Sequence, residues 1–201
     1  MIPFPDKKYK IIYADPPWDM RYVKGTKEGI RCYDMPYPVM SDEEIMALPV
    51  KNIAEDNSIL FMWVIDSRIP KIKELMSAWG FEYITVGFVW NKKAENTLGY
   101  NAILSQYTRK SCEFCFIGRK GEKIVNDSNV DQFISESKKE HSKKPRVVRE
   151  RILQMCGNIS RIELFSRDKI EGWDCWGNEI PSSEQVTIKR WTFEEAAGGW
   201  I

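Results

Sequence analysis

Ser58 to Ile65, which reads Ser-Ile-Leu-Phe-Met-Trp-Val-Ile, is the stretch that most limits what this chain can become. A run this apolar has no face to give to water, so it belongs in the interior of a parallel sheet covered on both sides. The next fifteen or so residues support that placement. Asp66 and Ser67 offer N-cap oxygens, Ile69, Ile72, Leu75, Met76 and Trp79 recur at helical spacing, and Gly80 supplies a stop. Strand then helix is the repeating unit of doubly wound α/β folds.

Shorter runs elsewhere repeat the theme. Lys10–Ala14, Phe81–Trp90, Glu113–Gly118, Arg161–Phe165 and Trp173–Trp176 read as further strands. Ser41 and Glu44 have capping-box spacing for a short helix ahead of Pro49. Pro145 opens a second helix with Val147, Val148, Ile152, Leu153 and Met155 as its apolar face and Gly157 as its end. The expected architecture is a doubly wound α/β domain with a central, mostly parallel sheet and helices on both faces, over residues 1–180. Residues 181–201 are expected as a tail that docks through Trp191, Phe193 and Trp200. Asp19–Met35, Asn91–Lys110 and Arg119–Glu140 read as long polar loops, and loops of that length in a compact domain are usually functional or disordered.

Charge narrows the function classes. Lys and Arg number 30 against 29 Asp and Glu, so any polyanion site must come from local clusters. Two clusters qualify: Lys92, Lys93, Arg109 and Lys110 with Tyr100 and Tyr107 among them, and Lys138 to Arg151. Five scattered cysteines and no apolar leader favour an intracellular, reducing setting, cytoplasmic in a bacterial or phage context. No run approaches the ~20 apolar residues that span a bilayer. Cys112-x-x-Cys115 lacks a second ligand pair, so it reads as structural and no metal is expected.

The chemistry is concentrated where the first strand ends, at Asp15-Pro16-Pro17-Trp18. The prolines lack N–H groups and have a fixed φ, so they end the strand abruptly and leave Asp15 at its carboxyl edge, where open α/β sheets bind ligands. An acidic turn beside a core tryptophan is the plain alternative. The chemical reading starts from an amine conjugated to an aromatic ring, which is a poor nucleophile. Two acceptors, the Asp15 carboxylate and the Pro16 carbonyl, can hold its N–H bonds and draw the lone pair out of conjugation. Trp18 can stack on the base that carries the amine, a contact worth about 1–3 kcal/mol. His141, the sole histidine, reads as a loop or cofactor-adjacent residue, since this chemistry needs no strong base before transfer.

Asp15-Pro16-Pro17-Trp18, Met35-Pro36-Tyr37 leading to Met40-Ser41-Asp42-Glu43-Glu44, Phe61-Met62-Trp63-Val64, Ser142-Lys143-Lys144-Pro145, Arg161-Ile162-Glu163-Leu164-Phe165 and Gly177-Asn178-Glu179 occur in this order. Together they resemble the MT-A70 family of S-adenosylmethionine-dependent adenine N6-methyltransferases. The resemblance implies a Rossmann-like methyltransferase fold in permuted order, with the amine-handling motif near the start and the cofactor strand near the end. It makes Asp15, Pro16, Pro17 and Trp18 the catalytic group. Lys144 would reach the cofactor's methionine carboxylate, with Asp15 beside it. Phe165 would lie under the cofactor, Arg167 and Lys169 near its ribose, and Asn178 and Glu179 at its adenine. Tyr37, Lys92, Arg109 and Lys143 are the expected nucleic-acid contacts. DNA is favoured as substrate over RNA. Methylation of cytosine N4 and a silent nucleic-acid-binding homologue are the alternatives, and either a homodimer or a heteromer suits the sequence.

Overall fold

The computed structural model describes residues 3–19, 22–26, 29–33, 38–94, 103–104, 107–137 and 143–180. In chain order the elements are β1 (Tyr9–Ala14), β2 (Tyr22–Thr26), β3 (Gly29–Tyr33), α1 (Asp42–Met46), α2 (Val50–Ile53) and β4 (Ala54–Val64). A 3-10 helix (Asp66–Lys71) runs into α3 (Ile72–Ala78), and then come β5 (Glu82–Lys93), β6 (Ile103–Leu104), β7 (Arg109–Lys110) and β8 (Cys112–Lys120). The rest are β9 (Phe133–Ser137), α4 (Arg146–Cys156), β10 (Arg161–Leu164) and β11 (Asp174–Trp176).

Seven strands form one sheet in the order β11-β10-β1-β4-β8-β5-β9. β1 pairs in parallel with both β10 and β4, and β5 pairs in parallel with β9; β8 runs antiparallel between β4 and β5. The expected Rossmann-like sheet is therefore present. Because β8 alone is reversed in this sheet, its start lies at the same edge as the ends of β1, β4 and β5. That brings Glu113 next to the end of the first strand.

Side chains alternate between two cores. Ile12, Ala14, Leu60, Met62 and Leu164 pack with α1, α2 and α3 on one face. Ile11, Tyr13, Phe61, Trp63, Phe88 and Trp90 pack with Val148, Ile152 and Cys156 of α4 on the other. Two of the buried indoles also find a carbonyl: Trp79 Nε1 donates to Ile45 O at 2.8 Å and Trp90 Nε1 to Glu136 O at 3.0 Å. Burial of these two rings therefore leaves neither indole N–H unpaired.

Three sequence expectations need correction. The Asp66 helix begins as 3-10 because Pro70 lies within its first turns and cannot donate to the α ladder. Tyr22–Thr26 and Gly29–Tyr33 pair as the antiparallel strands β2 and β3 rather than lying in an open loop. Arg119–Glu140 contains edge strand β9, whose alternating Phe133 to Ser137 pattern is too polar to stand out. The tail at 181–201, Tyr37 and His141 lie outside the described residues.

Candidate active site at the carboxyl edge of the sheet

The loop after β1 is fixed by its own backbone. Trp18 N–H donates to Pro16 O at 2.9 Å, and Met40 N–H donates to Pro17 O at 2.9 Å. Trp18 and Met40 are bridged in parallel, and Trp18 Nε1 donates to Trp63 O at 3.0 Å. A rigid loop with both proline carbonyls located is what positioning demands. Trp18 itself is only 4% exposed. It is an anchor that ties the loop to β4, and the open stacking face expected of it is not what the structure presents.

Asp15 heads a chain of alternating charges. Lys144, just ahead of α4, donates to Asp15 Oδ2 at 2.6 Å and approaches Glu113 Oε2 at 3.3 Å. The other oxygen of Glu113 is paired with Lys92 of β5. Lys144 also lies over the ring of Trp63, 5.4 Å from its centre, and Lys92 over Trp90 at 5.5 Å. The Trp63 ring is fixed in turn, because its Nε1 donates to Tyr13 Oη at 2.8 Å. Cations over aromatic faces gain from the ring quadrupole, most where water is excluded.

The four groups do not share the burial cost equally. Burial pushes the Asp15 carboxyl above its usual range, and Lys144 only partly offsets it. Burial acts on Glu113 too, but two cations, Lys144 and Lys92, outweigh it and hold that carboxyl below its usual range. For Lys144 burial works against the charge, yet Asp15 and Glu113 together raise its pKa. Asp15 is therefore a charge-hungry acceptor next to a firmly ionised neighbour. Beneath them Arg149 of α4 grips Glu163 of β10 bidentately, at 2.6 and 2.9 Å, and so neutralises a further carboxylate near Asp15.

Along the same edge, the chain after β10 turns sharply. Phe165 has φ of 61°, a left-handed conformation unusual for a bulky side chain, and its ring meets Trp176 edge-on at 5.6 Å. Ser166 N–H donates to Trp176 O at 3.0 Å. Gly177 is required there, since a Cβ would lie 2.1 Å from Ser166 O. Arg167 pairs with Glu179 at 3.5 Å, and Lys143 with Asp168 at 3.0 Å. Asn178 and Lys169 are exposed.

The structure thus brings Asp15, Pro16, Pro17, Lys144, Phe165, Arg167, Asn178 and Glu179 to one edge. The expected substrate contacts that are described differ in exposure. Lys92 is 15% exposed at its side chain and engaged within the cluster, so it is not the open phosphate contact expected; Arg109 is exposed on β7. Sequence reasoning misses Glu113. Its signal is an acid opening an otherwise apolar strand, legible only once β8 is known to be reversed.

The donor set fits S-adenosylmethionine. An amino-acid moiety needs a cation for its carboxylate, and Lys144 stands at this edge, 2.6 Å from Asp15. The fold and this edge define a Rossmann-like nucleotide-cofactor enzyme. A family model described as MT-A70 matches residues 9–179. The Type II methyltransferase M.MunI of a Mycoplasma species is 38% identical over 197 residues, covering 90% of this chain and 81% of that protein. The human N(6)-adenosine-methyltransferase catalytic subunit METTL3 is 24% identical over 177 residues, and the probable N(6)-adenosine-methyltransferase MT-A70-like protein of Oryza sativa subsp. japonica 25% over 176. The chain spans only 28% and 23% of the length of those two. It belongs to the MT-A70 family and is an S-adenosylmethionine-dependent methyltransferase.

Proposed function

We propose that this protein methylates the N6 amino group of adenine in DNA, with Asp15 and Pro16 as the acceptors that grip the amine. The observation that carries this reading is the under-compensated Asp15 carboxylate, fixed beside the Pro16 carbonyl at the carboxyl edge of β1. The Pro16 carbonyl spends one lone pair on Trp18 N–H and keeps a second for an amine hydrogen. Two acceptors on the N–H bonds of one nitrogen favour a pyramidal geometry, which draws the lone pair out of conjugation with the ring and aims it at an electrophile. Bound S-adenosylmethionine supplies that electrophile as an activated methyl group. Lys144 would hold the cofactor's carboxylate, Phe165 would pack under it, and Arg167, Lys169, Asn178 and Glu179 would meet its ribose and adenine. Once the nitrogen carries the methyl it must lose a proton, and a carboxylate with a raised pKa is suited to accept it.

DNA is favoured because the chain covers most of the 38% identical relative, a Type II methyltransferase, and about a quarter of the N(6)-adenosine relatives. Exposed Arg109 and Tyr107, together with Lys143, are candidates for the nucleic-acid surface, and a DNA substrate is in keeping with an intracellular setting. Cytosine N4 presents the same kind of conjugated amine. Digesting treated DNA and RNA to nucleosides separates the readings: N6-methyladenine in DNA is expected, and N4-methylcytosine, or label only in RNA, contradicts it.

A further inference from the structure

We propose that Lys92 is a positioning residue for the carboxylate pair Asp15 and Glu113: it supplies the second positive charge that lets both stay ionised around the single ammonium of Lys144. The inference rests on the proposed role of Asp15. It replaces the expectation that Lys92 contacts phosphate.

The geometry carries it. Lys92 lies near the end of β5, where Asn91 pairs with Cys112 and Lys92 N–H donates to Ser111 O at 2.9 Å, so its stem is fixed against the start of β8. Its ammonium pairs with Glu113 and lies 5.5 Å from the centre of the Trp90 ring. A solvated phosphate contact needs a mobile, exposed stem, whereas this one is 85% covered, the complement of its 15% side-chain exposure. The order Lys92, Glu113, Lys144, Asp15 is plus, minus, plus, minus. Removing Lys92 leaves two half-buried carboxylates, each 31% exposed at its side chain, sharing one ammonium, and two such groups take up a proton jointly, as a coupled pair, at higher pH. Among the described residues, two other groups near Asp15 are held in one charge state. Glu163 of β10 is neutralised by Arg149, and Cys115 of β8 is a buried thiol whose pKa burial raises well above its usual value.

Lys92→Met keeps the stem over Trp90 and removes the charge; Lys92→Arg restores it. Two measurements are read. Calorimetry of S-adenosylmethionine binding against pH reports the charge state of the cluster without requiring turnover. The dependence of substrate KM on salt reports phosphate contacts. For Lys92→Met the acid limb of cofactor binding is expected to move up by about one pH unit, with Lys92→Arg near wild type and the salt slope unchanged. An unmoved acid limb with a salt slope reduced by about one makes Lys92 a phosphate contact and overturns the proposal. Should Lys92→Met not fold, Glu113→Gln removes the carboxylate Lys92 serves: Lys92→Met must then fold and add no further shift in the Glu113→Gln background, and an added shift overturns the proposal. A shifted binding limb in a protein that leaves adenine unmethylated overturns the adenine reading alone.

Discussion

Asp15 and Asp42 are both aspartates held by cations near the carboxyl edge, and they differ in how fully they are satisfied. Asp42, on the first turn of α1, is 8% exposed at its side chain and accepts on both oxygens, from Arg68 Nε at 2.5 Å and Lys71 Nζ at 2.9 Å. Burial opposes its charge, but hydrogen bonds from Lys71 and Arg68 outweigh it and the carboxyl is held below its usual range. Among the described residues Asp15 accepts from a single cation, which it shares with Glu113, and burial wins. A saturated carboxylate locks α1 to the 3-10 helix. An unsaturated one retains acceptor capacity, which is what a substrate amine requires.

The largest effect that tests this contrast is on turnover. Asp15→Asn removes the charge and replaces an acceptor with a donor, so methyl transfer is expected to fall about 10²–10³-fold, the cost typical of losing one preorganised polar contact. Its urea midpoint should move little. A large stability loss with preserved turnover would make Asp15 the structural residue of the two.

Glu163 is a third, doubly gripped carboxylate, with Arg149 and Glu163 side chains 18% and 11% exposed. Arg149→Met leaves that charge buried and unpaired, so unfolding free energy should drop by about 3–5 kcal/mol in urea titrations.

Asp42→Asn comes next, at about 1–2 kcal/mol near neutral pH, discounted because the Lys71 partner is half exposed and screened. The sign against pH is set by the direction of the shift. A lowered carboxyl gives stability in full above the ordinary value of about 4, and that stability is lost as pH falls through its lower folded value. The difference between wild type and Asp42→Asn should therefore vanish in acid. Asp15, raised, acts the other way: it withdraws stability as pH climbs from the ordinary value through its own higher one. The smallest effect is at the amino edge, where Lys7 pairs with Asp174 at 2.8 Å but both side chains are about half exposed. Lys7→Ala should cost under about 1 kcal/mol by the same titration.

Much of this site is legible in the sequence, and the illegible part has a physical reason. The prolines after β1, the run in β4 and the Pro145 start of α4 are local signals, and each element lies within a residue or a few of where those signals put it. Glu113 and the inward turn of Lys92 depend on β8 running against its neighbours, a pairing that no periodicity encodes. Trp18 reads as a platform because its place in the chain gives no direction for its ring; only the bond to Trp63 O does that. Edge strand β9 escapes because one face of it is solvated, so its pattern resembles a polar loop.

The central claim is that Asp15 and Pro16 grip adenine N6 while a methyl group arrives. The direct test is to incubate wild type and Asp15→Ala with adenine-containing duplex DNA and S-adenosylmethionine labelled in its methyl group, then digest to nucleosides and weigh them. Labelled N6-methyladenine from wild type, with at least about a hundredfold less from a folded Asp15→Ala, is the predicted result. Equal label from the two proteins, or label on cytosine, would contradict it.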